Sequence, residues 1–175
     1  ILNSNPAQYL ESVTTYDDRY RVTEVFSQNH LGGTDKIETS YYSVVSPLIS
    51  QTTHTHIVNG TTTILHDYFT YDHMDRLLKH EYQRGTGSRV TLAVNTYNEI
   101  GELITKEIGD HAQTIDYTYN IRGWLTKINS GTSFNDPDDK FGMELKYTNA
   151  ATGYKQYNGN IGEMHWKSTA QSGNN

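Results

Sequence analysis

Short runs in which apolar or β-branched residues alternate with polar ones dominate this chain, and turn-forming residues close each run. Val13-Thr14-Thr15-Tyr16 leads into one turn, and Arg21-Val22-Thr23-Glu24-Val25-Phe26 leaves it. A period of two predicts half-buried strands. Residues 31–35, rich in glycine, read as a break. A strand resumes over residues 37–45 with Tyr41, Tyr42, Val44 and Val45, and Pro47 marks an interruption or an edge. Thr52-Thr53-His54-Thr55-His56-Ile57-Val58 and Thr61-Thr62-Thr63-Ile64-Leu65-His66 flank Asn59-Gly60. Both central residues tolerate the positive φ of a type I′ turn, so a tight hairpin is predicted. Asn59-Gly60-Thr61 also fits an N-glycosylation acceptor, but the turn accounts for these residues without a glycan. No stretch keeps apolar residues at the 3.6 period for a dozen positions. The nearest approach to a helix, residues 73–82, starts inside a turn and extends into a strand.

One unit recurs. It reads Tyr71-Asp72-His73-Met74-Asp75-Arg76-Leu77, then Tyr97-Asn98-Glu99-Ile100-Gly101-Glu102-Leu103, then Tyr119-Asn120-Ile121-Arg122-Gly123-Trp124-Leu125, with a looser copy at Tyr16-Asp17-Asp18-Arg19-Tyr20-Arg21-Val22. The tyrosine closes a strand, and the Asp or Asn folds its side chain onto the backbone two residues ahead. A residue able to take a left-handed conformation (Asp75, Gly101 or Gly123) then re-aims the chain for the next strand. Tyr20 in that slot predicts a different turn for the first copy. A divergent copy spans 157–166, with Tyr157-Asn158-Gly159 at its start and Trp166 downstream. The turns therefore sit at 16–22, 71–77, 97–103, 119–125 and, in altered form, 157–166. Such repetition predicts an all-β fold of consecutive antiparallel β-hairpins whose role is to make a surface.

Composition sharpens this picture. Apolar residues are 34% and charged residues 19% of the 175-residue chain, yet 14 tyrosines argue for a folded sheet in which aromatic rings supply buried area. A net charge of −6 with no basic stretch excludes phosphate-backbone recognition as the main role. No run approaches the ~20 apolar residues of a membrane-spanning helix. Without cysteine there are no disulfides or thiolate metal sites. The start at Ile1-Leu2-Asn3-Ser4 and the end in turn-like residues read as cuts through a larger repetitive protein, so residues 1–175 are expected to be a single fragment of one.

Candidate chemistry is thin. His54 and His56 share one face of a strand and could grip a transition metal, but no third ligand adjoins them and ordinary polar alternation explains both. Asp136-Pro137-Asp138-Asp139 precedes Lys140-Phe141-Gly142-Met143-Glu144, a carboxylate cluster that lacks the oxygen ligand and sharp-turn glycine of a helix–loop–helix calcium site. Asp116 or Glu144 as half of a glycosidase pair would need a partner at a defined separation. No nucleophile elbow, phosphate loop or dinucleotide fingerprint occurs. No cofactor is expected, and an enzyme is not. Trp124 and Trp166 read as packing between strands. The alternative is an adhesion or glycan-binding module that uses Tyr157 and Trp166 as a stacking surface.

At the tyrosine turns the chain resembles the YD-repeat, or RHS-repeat, proteins, whose unit is approximately Tyr-Asp-x-x-Gly-Arg-Leu followed by a strand. Asp116-Tyr117-Thr118-Tyr119-Asn120-Ile121-Arg122-Gly123-Trp124-Leu125 is similar to the version in large secreted or surface proteins of Bacteroidota, as is Gln156-Tyr157-Asn158-Gly159-Asn160-Ile161. The likeness covers most of residues 13–167. It implies a curved, spiralling sheet forming part of a hollow shell, and a role in scaffolding or encapsulation. In polymorphic toxins and insecticidal toxin complexes such a shell encloses a variable carboxyl-terminal effector, and teneurins use a similar barrel in adhesion. The implied location is secreted or cell-surface. The implied partners are the remainder of its own shell, an encapsulated effector, or secretion machinery. The sequence departs from the arginine-rich consensus at Glu102 and Trp124. It also lacks the core segment at which family shells release their effector by self-cleavage, so no processing activity is expected.

Overall fold

The computed structural model of the chain describes residues 9–131 and 139–169. Its regular structure is twelve β-strands, with no α-helix among the described residues. The chain forms two compact units, Ile1–Leu92 and Ala93–Asn175. The first holds β1 (Ser12–Tyr16), β2 (Val22–Gln28), β3 (Thr34–Tyr41), β4 (Ile49–Val58), β5 (Thr61–Tyr71) and β6 (Leu77–Arg84). The boundary falls within β7 (Val90–Tyr97). The second unit continues with β8 (Leu103–Ile108), β9 (Gln113–Tyr119), β10 (Leu125–Ile128), β11 (Phe141–Lys146) and β12 (Glu163–Ser168). In each unit every strand pairs antiparallel with the next in the chain, a plain meander.

The alternation read from the sequence becomes two chemically distinct faces. In the second unit one face carries Ile115, Tyr117, Ile128, Met143, Leu145, Met164 and Trp166, matched across strands as Ile128↔Met143, Met143↔Trp166 and Leu145↔Met164. The opposite face carries Lys127↔Glu144, Glu144↔His165 and Lys146↔Glu163. In the first unit Lys36, Glu24 and Glu38 form a charged cluster on one face, with Lys36 Nζ 3.1 Å from Glu24 and 2.9 Å from Glu38.

No large side chain among the described residues is fully buried, and their only buried apolar residues are Leu145, Tyr147 and Ala150. A single sheet layer has this property, because stable sheets otherwise pack their apolar face against a second layer.

The Asn59-Gly60 hairpin forms as expected, with φ of 50° and 75° and Val58 paired to Thr61. Two expectations fail around it. The strand foreseen over residues 37–45 stops at Tyr41, because residues 42–48 form a loop closed by the Tyr42 amide donating to the Leu48 carbonyl. Val44 and Val45 are therefore 66% and 72% exposed, despite their β-branched side chains. The break foreseen at 31–35 is a turn over 29–33, and Thr34 and Asp35 already pair within β3. Asn29 organises that turn. Its Oδ1 accepts from the amides of Leu31 and Gly33 (3.1 and 2.9 Å). Gly33 lies so close to β4 that a Cβ there would sit 1.8 Å from the Ile57 carbonyl oxygen.

Candidate functional site

The four tyrosine turns share one geometry. In each, the Asp or Asn after the tyrosine donates its amide to the carbonyl four residues on, at 2.9–3.0 Å (Asp17 to Arg21, Asp72 to Arg76, Asn98 to Glu102, Asn120 to Trp124). The residue three positions on returns an amide to the carbonyl of that Asp or Asn at 2.9–3.1 Å. That residue is left-handed every time: Tyr20 (φ 60°), Asp75 (61°), Gly101 (91°) and Gly123 (74°). This is a type I turn closed by a left-handed bulge residue, a three-residue hairpin connection. The first copy does not differ, contrary to the expectation from Tyr20. Its side chain is 89% exposed, so nothing crowds the ring, and the hydrogen-bond frame imposes the backbone conformation.

The side chain of the Asp or Asn clamps the turn from within. Asp17 Oδ1 accepts from the amides of Arg19 and Arg21 (2.8 and 2.9 Å), and Asp72 Oδ1 from those of Met74 and Arg76 (2.8 and 3.0 Å). Asn98 Oδ1 accepts from Glu102, and Asn120 Oδ1 from Arg122 and Trp124. Where the pair is Asp and Arg, a guanidinium closes the clamp: Arg21 Nε lies 2.7 Å from Asp17 Oδ2 and Arg76 Nε 2.6 Å from Asp72 Oδ2. Burial alone would raise the Asp72 carboxyl. The Arg76 guanidinium and the amides of Arg76 and Met74 outweigh it and lower the pKa from 3.8 to about 2. Asn98 and Glu102 substitute a version without an ion pair, Asn98 Nδ2 donating to Glu102 Oε2 at 2.7 Å. The departure from arginine at Glu102 thus keeps the clamp and reverses the donor.

A second regularity was not anticipated from the sequence. Each tyrosine pairs with the residue that opens the following strand (Tyr16↔Val22, Tyr71↔Leu77, Tyr97↔Leu103, Tyr119↔Leu125), and the register shifts by one immediately afterwards. These are β-bulges, which bend and twist the strand that contains them. Tyr41↔Ile49 has the same shift, although its loop is longer. The tyrosine hydroxyls then join one hairpin to the one before it. Tyr41 Oη donates to the Val22 carbonyl (2.9 Å), Tyr119 Oη to Leu103 (3.0 Å) and Tyr147 Oη to Leu125 (2.8 Å). In each case the acceptor is the residue opposite the preceding hairpin's tyrosine. Tyr41 and Tyr147 are repeat positions without the Tyr-Asp/Asn signature. The available signal was a strand-closing tyrosine followed by a turn, Tyr41 before Pro47 and Tyr147 before Asn149.

Among residues singled out earlier, Trp124 packs against Tyr147, with ring centroids 5.1 Å apart and the planes tilted by 42°, beside the Arg122 guanidinium and against Gly159. Tyr157 and Gly159 belong to the long connection between β11 and β12, while residues 163–166 of the divergent copy lie in β12. Tyr157 is 67% and Trp166 49% exposed, and no ring contact or hydrogen bond joins them among the described residues. The Tyr157 carbonyl accepts from Arg122 Nη1 at 3.1 Å, which ties the connection to the tyrosine turn at 119–125.

His54 and His56 do share a face, and both engage Asp35 across the strand pair, His54 Nε2 at 3.4 Å and His56 through Nδ1. The hydrogen bond from His56 is the main reason the Asp35 carboxyl titrates below its usual range. No group of three or more His, Asp or Glu among the described residues is placed to hold a metal ion. Asp136 and Asp138 of the carboxylate cluster lie outside the described residues; Asp139 is buried and accepts from Ser130 Oγ at 3.3 Å. The Asn129 amide donates to the Asp116 carbonyl and the Asp116 amide donates to Asn129 Oδ1, while Glu144 lies opposite Lys127. What the assembled turns do chemically is satisfy main-chain polar groups and fix register. No known family model matches the chain, and no curated protein matches it.

Proposed function

We propose that this chain is a length of wall in a large exported protein, a scaffold that encloses or displays something else. The observation that carries this reading is the shared backbone geometry of the clamped tyrosine turns at 16–22, 71–77, 97–103 and 119–125, set in strands that bury almost no apolar core among the described residues. A fold built for chemistry gathers titratable groups in a cleft. Here the repeated residues are spent on main-chain hydrogen bonds and on bulges. Bulges at regular intervals curve a sheet, and a curved meander is the element from which a shell is wound.

The resemblance of the turns to YD repeats gives the finer reading: a segment of an RHS-type shell, secreted or at the cell surface. Its partners would be the rest of that shell, an enclosed carboxyl-terminal effector, or the export machinery. Its apolar face would look onto a second surface of the same assembly, since exposed large apolar patches mark interaction sites. Electron cryomicroscopy of the native polypeptide from its source tests the proposal. A hollow chamber with these residues in its wall is expected. A solid two-layer sandwich formed by this segment and a neighbouring sheet would sink it.

A further inference from the structure

The outermost described strand of the first unit, β1, has an edge unlike a finished one. All five of its residues, Ser12-Val13-Thr14-Thr15-Tyr16, are exposed, none is charged and none is proline. Proteins protect solvent-facing edges with lysine, proline or inward charges, because a bare edge pairs with any extended chain. At the far end of the second unit, β12 carries Glu163, His165 and Lys167.

The backbone of β1 is set to accept a neighbour. The Gln28 amide donates to the Glu11 carbonyl at 2.9 Å, and the Asp17 amide donates to Arg21 across the turn. Odd-numbered positions therefore bond inward to β2, and antiparallel alternation turns the N–H and C=O groups of Ser12, Thr14 and Tyr16 outward. Tyr16 also stands where Tyr41, Tyr119 and Tyr147 stand in their hairpins. Those three donate their hydroxyls to a main-chain carbonyl of the preceding strand. Tyr16 is 58% exposed, and no described residue takes its hydroxyl.

We propose that the outer edge of β1 is a strand-docking site, and that its occupant is the second strand of another tyrosine hairpin from the same polypeptide, running antiparallel to β1. Tyr16 Oη donates to the carbonyl of the occupant's first residue, the one opposite its own tyrosine. The interface would then continue the one that β3 makes with β2, β9 with β8 and β11 with β10. The inference rests on the scaffold reading and adds the identity and register of the neighbour.

Hydrogen exchange and photo-crosslinking on the native full-length polypeptide test it. The amides of Ser12 and Thr14 should exchange at least ~100-fold more slowly than unprotected amides. Thr14→Pro removes an outward N–H and should abolish the protection of Ser12, while the amides shared by β2 and β3 stay protected and report an intact fold. Tyr16→Phe should speed Ser12 exchange about five-fold, the loss of one hydrogen bond. A benzophenone amino acid at position 16 should crosslink to a segment that starts just after a Tyr-Asp or Tyr-Asn turn in the same chain. Unprotected exchange at Ser12 and Thr14 in the native protein overturns the proposal, as does a crosslink to a second copy or to another protein. A hollow chamber seen by microscopy together with either result would leave the scaffold standing and remove only this edge.

Discussion

The smallest scale at which this protein repeats itself is one carboxylate or carboxamide oxygen that accepts the amide four residues on, joined at Asp17, Asp72 and Asn120 by the amide two residues on. Asp17, Asp72, Asn98 and Asn120 differ in charge but share the Oδ1 acceptor, so either residue type builds the turn. Charge adds a pH dependence where the partner is arginine. The folded-state pKa of Asp72, about 2, is below the ordinary 3.8. Its contribution to stability is therefore complete above pH 3.8 and is lost as acid takes the pH down through about 2. Asp72→Asn should keep the turn, as Asn98 and Asn120 do, and flatten the acid limb of a denaturation midpoint plotted against pH. An unchanged acid limb would place the titrating group elsewhere. Tyr20 is the other informative residue, a non-glycine held at φ 60° with an 89% exposed ring. Left-handed conformation costs an ordinary residue about 1–2 kcal/mol, so Tyr20→Gly should stabilise the chain by about 1 kcal/mol in a urea titration, net of the greater freedom of unfolded glycine. Any loss of stability would mean that the Tyr20 ring makes a contact that matters.

Hairpins are the element that the turns serve, and their cohesion comes from close backbone approach and a few aromatic rings. At Gly33 a methyl group would overlap the Ile57 carbonyl oxygen at 1.8 Å, so β4 would have to move. Gly33→Ala should cost about 3 kcal/mol and open the β2–β3 turn, visible as accelerated amide exchange at Leu31 and Gly33. The two tryptophans separate by environment. Trp124 packs against Tyr147 and Gly159, while Trp166 is 49% exposed on an uncovered face. Trp124→Ala should cost about 2–3 kcal/mol and Trp166→Ala less than about 1 kcal/mol in the same denaturant series. Equal losses would show that something covers the Trp166 face in solution. Legibility at this scale was uneven. The Asn59-Gly60 hairpin and the turns at 71–77, 97–103 and 119–125 are local structures, set by residues adjacent in sequence, and they stand where the pattern put them. Tyr41 and Tyr147 escaped because their loops lack the Asp or Asn clamp and lengthen to residues 42–48 and 148–162. The end of β3 at Tyr41 escaped too, since Val44 and Val45 look like strand residues until the Tyr42–Leu48 hydrogen bond fixes them in a loop.

For the molecule as a whole, the main fact is how little it hides. Among the described residues only Leu145, Tyr147 and Ala150 are buried apolar ones, and the second unit presents Met164 and Trp166 on a face with no described cover. The native chain on its own should therefore bind the dye ANS at neutral pH while giving a strand-rich circular dichroism spectrum. Negligible dye binding by the folded chain would point to a covered face and count against a wall-like role.

By itself the sequence determined the period-two alternation, the places where the chain reverses and the antiparallel pairing that follows, because each depends on residues within a few positions of one another. Only the tertiary structure decided that tyrosine hydroxyls link successive hairpins and that His54 and His56 are engaged by Asp35. Those outcomes depend on which strand lies beside which and in what register. A side chain's reach across the sheet is fixed by the backbone of a neighbour many residues away, and no local pattern records it.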